Sequence, residues 1–282
     1  MRISLAQLDS RLGDLDANLA AAERAIAKAV GEGTDLVVFP ELFVSGYSVG
    51  AVDADLSMRA DDPRLASVAR SAGQAGVAIG FVETGPPGPH TYNSIAYFEA
   101  GRLVHVHRKL YLPAYAPFEE RNHFTAGPRL RAFDAALDTR MAVLCCNDAW
   151  QPQLAFLATQ DGAQVLLVPA ASSQSMFPER YDSDEYWHDI TRFYGRMFQV
   201  FVVFVNRVGT EGGFRFWGGS HVVDPWGNVV AAAAQHDEQV LTLDVDLADV
   251  RRRRRQVPLV KEARLGLIQR EIGRLLDEGG DL

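Results

Sequence analysis

Apolar positions along the chain switch between two periods, and the switches mark the elements. Residues 2–9 alternate as a strand does. Residues 14–31 then carry Leu15, Leu19, Ala22, Ile26 and Ala29 at helical spacing, with Gly31 closing the run. Asp35-Leu36-Val37-Val38-Phe39 is short and apolar throughout after its first residue, which predicts a strand buried on both faces and stopped at Pro40-Glu41. The pattern recurs with a helix at about 62–75 and a strand at 77–82. Strands at 92–99 and 102–107 flank a tight turn at Ala100-Gly101, as a hairpin does. Another apolar run, Met141 to Leu144, ends abruptly at Cys145-Cys146-Asn147-Asp148, and Pro152 then opens a helix over 151–160. A strand at 164–168, a helix at 183–199 and strands at 201–206, 217–224, 229–234 and 238–244 complete the series. Alternating strands and helices mixed with hairpins predict an α/β layered sandwich. The main domain is expected over 1–245, followed by a charged, helical C-terminal tail over 246–282. Gly85-Pro86-Pro87-Gly88-Pro89 reads as a surface turn, because strand patterns resume directly after it.

Composition narrows the class. A chain of 282 residues with 48% hydrophobic content can bury one large core. The two cysteines are adjacent and cannot staple a fold, which points to a reducing, cytoplasmic setting. The N-terminus lacks a signal-peptide apolar core, and no apolar run approaches the roughly 20 residues that span a bilayer, so no membrane partner is expected. A net charge of −8 argues against nucleic acid. No Cys/His set has metal-ligand spacing, so neither a metal nor another cofactor is expected.

Chemistry concentrates at the cysteine turn. A thiol at a strand-to-helix turn resembles a nucleophile elbow, where a helix dipole and free N–H groups favour thiolate; the competing reading is two buried small hydrophobes. Glu41, Lys109 and Cys146 each follow the carboxyl end of an expected strand, the edge where α/β sheets form ligand crevices. Together they suit covalent catalysis. The thiol attacks, Glu41 moves the proton if Phe39, Leu42 and Phe43 raise its pKa, and Lys109 with the Asn147 N–H stabilises an oxyanion. A Cys–His pairing competes through His105, His107 or His123, although His105 and His107 on one strand face equally fit a solvent-facing or metal-binding ladder. Tyr47, Tyr115, Trp150 and Trp187 are candidate pocket aromatics, with Tyr47, Asn147 and Ser172 the candidate substrate contacts. Asn206 is expected to tie down a loop. The run Arg251 to Arg255 points in all directions on a helix and reads as a solvated or subunit-interface segment.

Phe39-Pro40-Glu41-Leu42, His107-Arg108-Lys109-Leu110-Tyr111-Leu112-Pro113 and Leu144-Cys145-Cys146-Asn147-Asp148, in that order and separation, resemble the three signature blocks of the nitrilase superfamily of carbon–nitrogen hydrolases. The resemblance spans nearly the whole chain and includes Gly218-Gly219-Ser220 and Asp224-Pro225-Trp226-Gly227. It implies a four-layer αββα sandwich of two mixed sheets flanked by helices. It also implies Glu41 as general base, Lys109 as oxyanion stabiliser and Cys146 as nucleophile, chosen over Cys145 by the Cys-x-Asp spacing. Glu120 matches a second glutamate of the family, bonded to Lys109 or to substrate. Asn147-Asp148 stands where nitrilases carry Trp-Glu, which leans toward an amidase or carbamoyl-amide hydrolase. The expected function is therefore cofactor-independent cysteine hydrolysis of small non-peptide amides or N-carbamoyl compounds through a thioester acyl-enzyme. The rivals are a nitrilase, an acyltransferase and a catalytically silent scaffold. A glutaminase feeding a synthetase is disfavoured, because no synthetase domain follows residue 282. The resemblance also implies a homodimer or higher homo-oligomer, whose tails would bury Leu259, Val260, Leu265, Leu267, Ile268 and Leu275.

Overall fold

The computed structural model describes residues 1–85, 90–114, 118–175 and 180–280. The prolines of the expected turn at 86–89, and Tyr115, lie outside the described residues. The first half of the chain runs β1 (Arg2–Gln7), α1 (Leu15–Gly31), β2 (Leu36–Val38), α2 (Pro63–Arg70), β3 (Gly76–Gly85), β4 (His90–Glu99) and β5 (Arg102–Arg108). Then come β6 (Phe133–Ala135), β7 (Thr139–Val143), α3 (Pro152–Gln160), β8 (Val165–Ala170), α4 (Ser183–Phe198) and β9 (Phe201–Asn206). The chain finishes with β10 (Val208–Glu211), β11 (Phe214–Trp217), β12 (His221–Val223), β13 (Val229–Ala232), β14 (Gln239–Asp244), α5 (Ala248–Gln256) and α6 (Leu265–Asp277).

Two six-stranded sheets form, in the orders β14-β1-β2-β3-β4-β5 and β13-β12-β9-β8-β7-β6, with β10 and β11 pairing apart from both. Period-2 alternation sorts the apolar residues into layers. Ile3 and Leu5 of β1 face Val165, Leu167, Val203 and Val205 in the core between the sheets. Ala6, on the opposite face, packs with Leu19, Ala22 and Ile26 of α1. The second sheet mirrors this, with Leu166 and Val168 turned outward to Trp187 and Tyr194 of α4. Helices therefore cover both outer faces, and the architecture is an αββα sandwich of mixed sheets. The strands read as continuous apolar runs because both faces are buried.

Several boundaries differ from expectation, three of them by more than a residue or two of fraying. The strand expected at 217–224 is two, β11 and β12, because Gly218 and Gly219 between them take φ of +72° and +61°, outside any strand. The helix expected to reach 75 ends at Arg70. Val250, in the expected tail, is fully buried in the core between the sheets, so the first turn of α5 belongs to the sandwich.

Direction decides where the chemistry lands. β1, β2 and β3 are parallel, and two reversals through β4 bring β5 back along β3. The carboxyl ends of β2 and β5 thus share an edge, as do those of the parallel strands β7 and β8.

Candidate active site

Glu41 lies just past β2, where the backbone crosses directly over Gly80 of β3. A Cβ there would come within 2.5 Å of the Pro40 oxygen and the Leu42 nitrogen, so only glycine admits the crossing. The Glu41 carboxylate, 1% exposed, accepts three hydrogen bonds from nitrogen donors. Lys109 Nζ donates to Oε1 at 2.6 Å, Asn93 Nδ2 to Oε1 at 2.7 Å, and the Ala171 N–H to Oε2 at 2.9 Å. Lys109, the first residue after β5, is fully buried and donates a second bond to Glu120 Oε1 at 2.7 Å. Glu120 opens a 3-10 turn and also accepts from the Tyr47 hydroxyl at 2.6 Å. Two of the ammonium's three donors are thereby committed, which leaves the third for an incoming oxyanion.

Cys146 begins the 3-10 turn Cys146–Trp150 with φ of +46°, a conformation a non-glycine residue adopts only under constraint. Asp148 supplies that constraint. Its Oδ1 accepts the N–H groups of Leu110 and Tyr111 at 2.9 and 2.8 Å, and its Oδ2 accepts the Cys145 N–H at 3.2 Å. His107 Nε2 lies 2.8 Å from the same Oδ2. One buried carboxylate therefore pins the thiol turn to the segment carrying Lys109. Cys145 is fully buried, with Sγ 3.6 Å from Glu41 Oε1 and 3.8 Å from Asn93 Oδ1, whereas Cys146 is half-buried. Asn147 follows Cys146 in the first turn, where backbone N–H groups lack partners within the helix, so its N–H is a candidate donor beside the Cys146 thiol.

The charges reinforce one another. Burial draws the Lys109 ammonium down, but Glu120 and Glu41 outweigh it and hold its pKa well above the ordinary lysine value. Burial also raises the Glu120 carboxyl, with Lys109 opposing. The Cys146 thiol is pushed well up, first by burial and then by the Glu41 charge, with Lys109 and the Ala171 backbone pulling the other way. This corrects the expected thiolate. Burial and the Glu41 charge both favour the protonated thiol, and they outweigh the pull of Lys109 and the Ala171 backbone.

The structure thus brings Glu41, Lys109, Glu120 and Cys146 together with Tyr47. Asn147 turns its side chain to the Tyr111 carbonyl at 3.0 Å. Ser172 sits past β8 as expected, but its hydroxyl is taken up by Trp187 Nε1 at 2.9 Å, Trp217 Nε1 at 3.3 Å and the Ser183 hydroxyl at 2.8 Å. Its role is to hold loops, as is that of Asn206, which bonds to the Ser172 backbone and the Gly218 carbonyl. Trp187 is core, and Trp150 stacks on Tyr186. The histidine ladder is not one: His107 is buried against Asp148, and His105 stacks on Phe133 with centroids 4.4 Å apart. His123 lines a cleft of about 370 Å³ with Tyr47, Val49, Phe124 and Phe214, and Glu120 borders it. Among the described residues no group of three or more His, Cys, Asp or Glu side chains could hold a metal ion. Sequence reasoning missed Asn93, whose signal was a polar residue at a fully buried strand position, and the Ala171 N–H, which leaves no signal in side-chain chemistry.

The family model described as carbon–nitrogen hydrolase matches residues 2–255. The (R)-stereoselective amidase of Pseudomonas sp. is 32% identical over 273 residues, covering 95% of this chain and 93% of that one. The glutamine-dependent NAD(+) synthetase of Thermotoga maritima is 31% identical over 88% of this chain, which spans only 42% of that protein's length. Among solved structures, a mutant of the amidase from Nesterenkonia sp. AN1, showing Michael addition of acrylamide at its active-site cysteine, superposes with a TM-score of 0.75. It is 26% identical, over 91% of this chain and 98% of that one.

Proposed function

The chain belongs to the carbon–nitrogen hydrolase family, and from that premise we propose that it hydrolyses small non-peptide amides or N-carbamoyl compounds through a thioester on Cys146. The observation that carries this reading is the buried cluster in which Lys109 bridges Glu41 and Glu120 beside a thiol held at positive φ. Glu41 takes the thiol proton as sulfur attacks the amide carbon, which offsets the unfavourable resting ionisation of Cys146. The third Lys109 N–H and the Asn147 backbone N–H receive the oxyanion of the tetrahedral intermediate. Glu41 returns the proton to the leaving nitrogen, and ammonia or an amine departs. Water then loses a proton to Glu41 and attacks the thioester, releasing the acid and restoring the thiol. Glu120 and Tyr47 hold the ammonium in place, and the cleft beside Glu120, walled by Tyr47, Phe124 and Phe214, receives the substrate body.

Among the described residues no helix is long and apolar enough to cross a membrane. The free, adjacent thiols support action in the reducing cytoplasm. Pairing with a second copy is supported by apolar residues left exposed on α6. The test is a panel of small amides, carbamoyl compounds, nitriles and amine acceptors, read by ammonia release and by mass of a covalent adduct. Ammonia from an amide, without turnover of the matching nitrile, supports the amidase reading. Turnover of nitriles alone, product transfer to the acceptor in preference to water, or no adduct with any compound each overturns it.

A further inference from the structure

The proposed mechanism leaves one buried ion pair without a task. Arg207, between β9 and β10, and Glu211, the last residue of β10, are 1% and 8% exposed, and their side chains meet at 3.0 Å. Arg207 is itself anchored by Asp9 at 2.6 Å and the Ser10 carbonyl at 3.0 Å, with its guanidinium 4.2 Å above the Phe216 ring. The other oxygen of Glu211 turns to the loop that follows Glu41, where it accepts the N–H groups of Tyr47 at 2.9 Å and Ser48 at 2.6 Å. Gly46, at φ +81°, marks how close the approach is. A Cβ there would lie 2.8 Å from Glu211 Oε2 and 2.7 Å from Leu12 Cα. The hairpin also grips the Tyr47 ring edge-on through Phe214, at 5.4 Å. At its far end the Tyr47 hydroxyl donates to Glu120 Oε1, the same oxygen that accepts from Lys109.

Stability alone does not account for this arrangement, since a buried ion pair is often no better than apolar packing. The carboxylate instead sets the position of two consecutive backbone groups in a loop that carries an active-site side chain. We propose that Glu211, aimed by Arg207, is a positioning residue. It fixes Tyr47 so that the phenol aligns Glu120, and Glu120 in turn orients the Lys109 ammonium. The proposal rests on the reading of this cluster as a hydrolase site. A displacement of about 1 Å far from the chemistry is enough to slow a reaction severely.

The experiment is a mutant cycle on the full chain, with kcat and KM for amide hydrolysis, urea unfolding, and the pH profile of Cys146 alkylation by iodoacetamide measured for each variant. Glu211→Ala is expected to lower kcat roughly tenfold with a smaller change in KM. Glu211→Gln, whose amide oxygen can accept both N–H groups but whose NH2 then faces the Arg207 fork, restores part of that loss. In a Tyr47→Phe background Glu211→Ala adds nothing further, because the groups act in series. If Glu211→Ala does not accumulate folded, Arg207→Lys enters the same cycle, since it leaves the carboxylate in place and removes the fork that aims it. Losses that multiply in the double variant, or an unchanged kcat in Glu211→Ala, overturn the proposal. A wild-type protein that turns over no amide refutes the hydrolase reading instead. The alkylation profile then still decides the coupling: it shifts in Glu211→Ala and shifts no further when Tyr47 is also replaced.

Discussion

Cys145 and Cys146 both come under the charge of Glu41, and their backbones separate their roles. Cys145 is extended, at φ −76° and ψ 109°, and fully buried in the core between the sheets. Cys146 is bent to φ +46° and half-buried, which makes it the more accessible of the two residues. Cys146→Ala is therefore expected to abolish hydrolysis and the covalent adduct, while Cys145→Ala, which loses only a weak S–H contact, keeps most activity. The reverse result would mean the turn delivers the other sulfur. Lys109→Ala should slow acylation by roughly 10²–10³. Lys109→Arg should not rescue it, since a planar fork does not fit a fully buried site built around 2.6 and 2.7 Å contacts to two carboxylates. Single-turnover rates near wild type in either variant would remove Lys109 from the mechanism. The raised Cys146 pKa carries its own sign. Below that pKa the thiolate fraction grows about tenfold per pH unit. Alkylation by iodoacetamide should therefore keep accelerating from pH 6 to pH 9, and a plateau below pH 7 would show a thiolate already formed.

The turn after β7 is held above all by the Asp148 side chain, which takes up three backbone N–H groups. Removing the Asp148 carboxylate strands the N–H groups of Leu110, Tyr111 and Cys145 and leaves buried His107 without its partner. Asp148→Ala is expected to destabilise the fold by about 3–5 kcal/mol, read from the urea midpoint at constant slope; a loss below about 1 kcal/mol would show that the turn does not depend on it. Elements like β8 and β9 were legible in sequence because both faces are buried, and the apolar run marks its own limits. Glu41, Lys109 and Cys146 were legible as groups following such runs. What escaped depends on partners distant in sequence. Asn93 is only a polar residue in a strand until the fold brings Glu41, 52 residues away, to its amide. Nothing local to Ser172 shows that Trp187 and Trp217 bond to its hydroxyl. β6 and β10, at three and four residues, are too short for a period to show.

Across the whole molecule one buried histidine and one uncovered surface set the behaviour in solution. Burial and the neighbouring His188 hold the His221 pKa down to about 3, so between that value and the ordinary 6.5 only the unfolded chain takes the proton. Stability should fall by about 1.4 kcal/mol per pH unit as the pH drops below 6.5, and His221→Gln should flatten that slope in urea titrations at pH 4 to 7. Beyond α5 the apolar side chains have lost the sandwich. Leu265, Ile272, Leu275 and Leu276 of α6 are 49–53% exposed, and no core cluster of the described residues includes them. Beside them, Arg251, Arg254, Arg255 and Lys261 line a cleft, without a carboxylate in salt-bridge range among the described residues, on a chain of net charge −8. A second copy offers both missing partners, an identical apolar face and an excess of acidic groups, in an isologous contact. A stable pairing of that kind buries on the order of 1,200–2,000 Å². Light scattering across a dilution series is expected to give twice the 31.0 kDa chain mass at micromolar concentration. Raised salt should weaken the pair if the arginines contribute, and Leu275→Glu with Leu276→Glu should split it while leaving the sandwich folded. A monomer mass throughout the series would assign that surface to some other use.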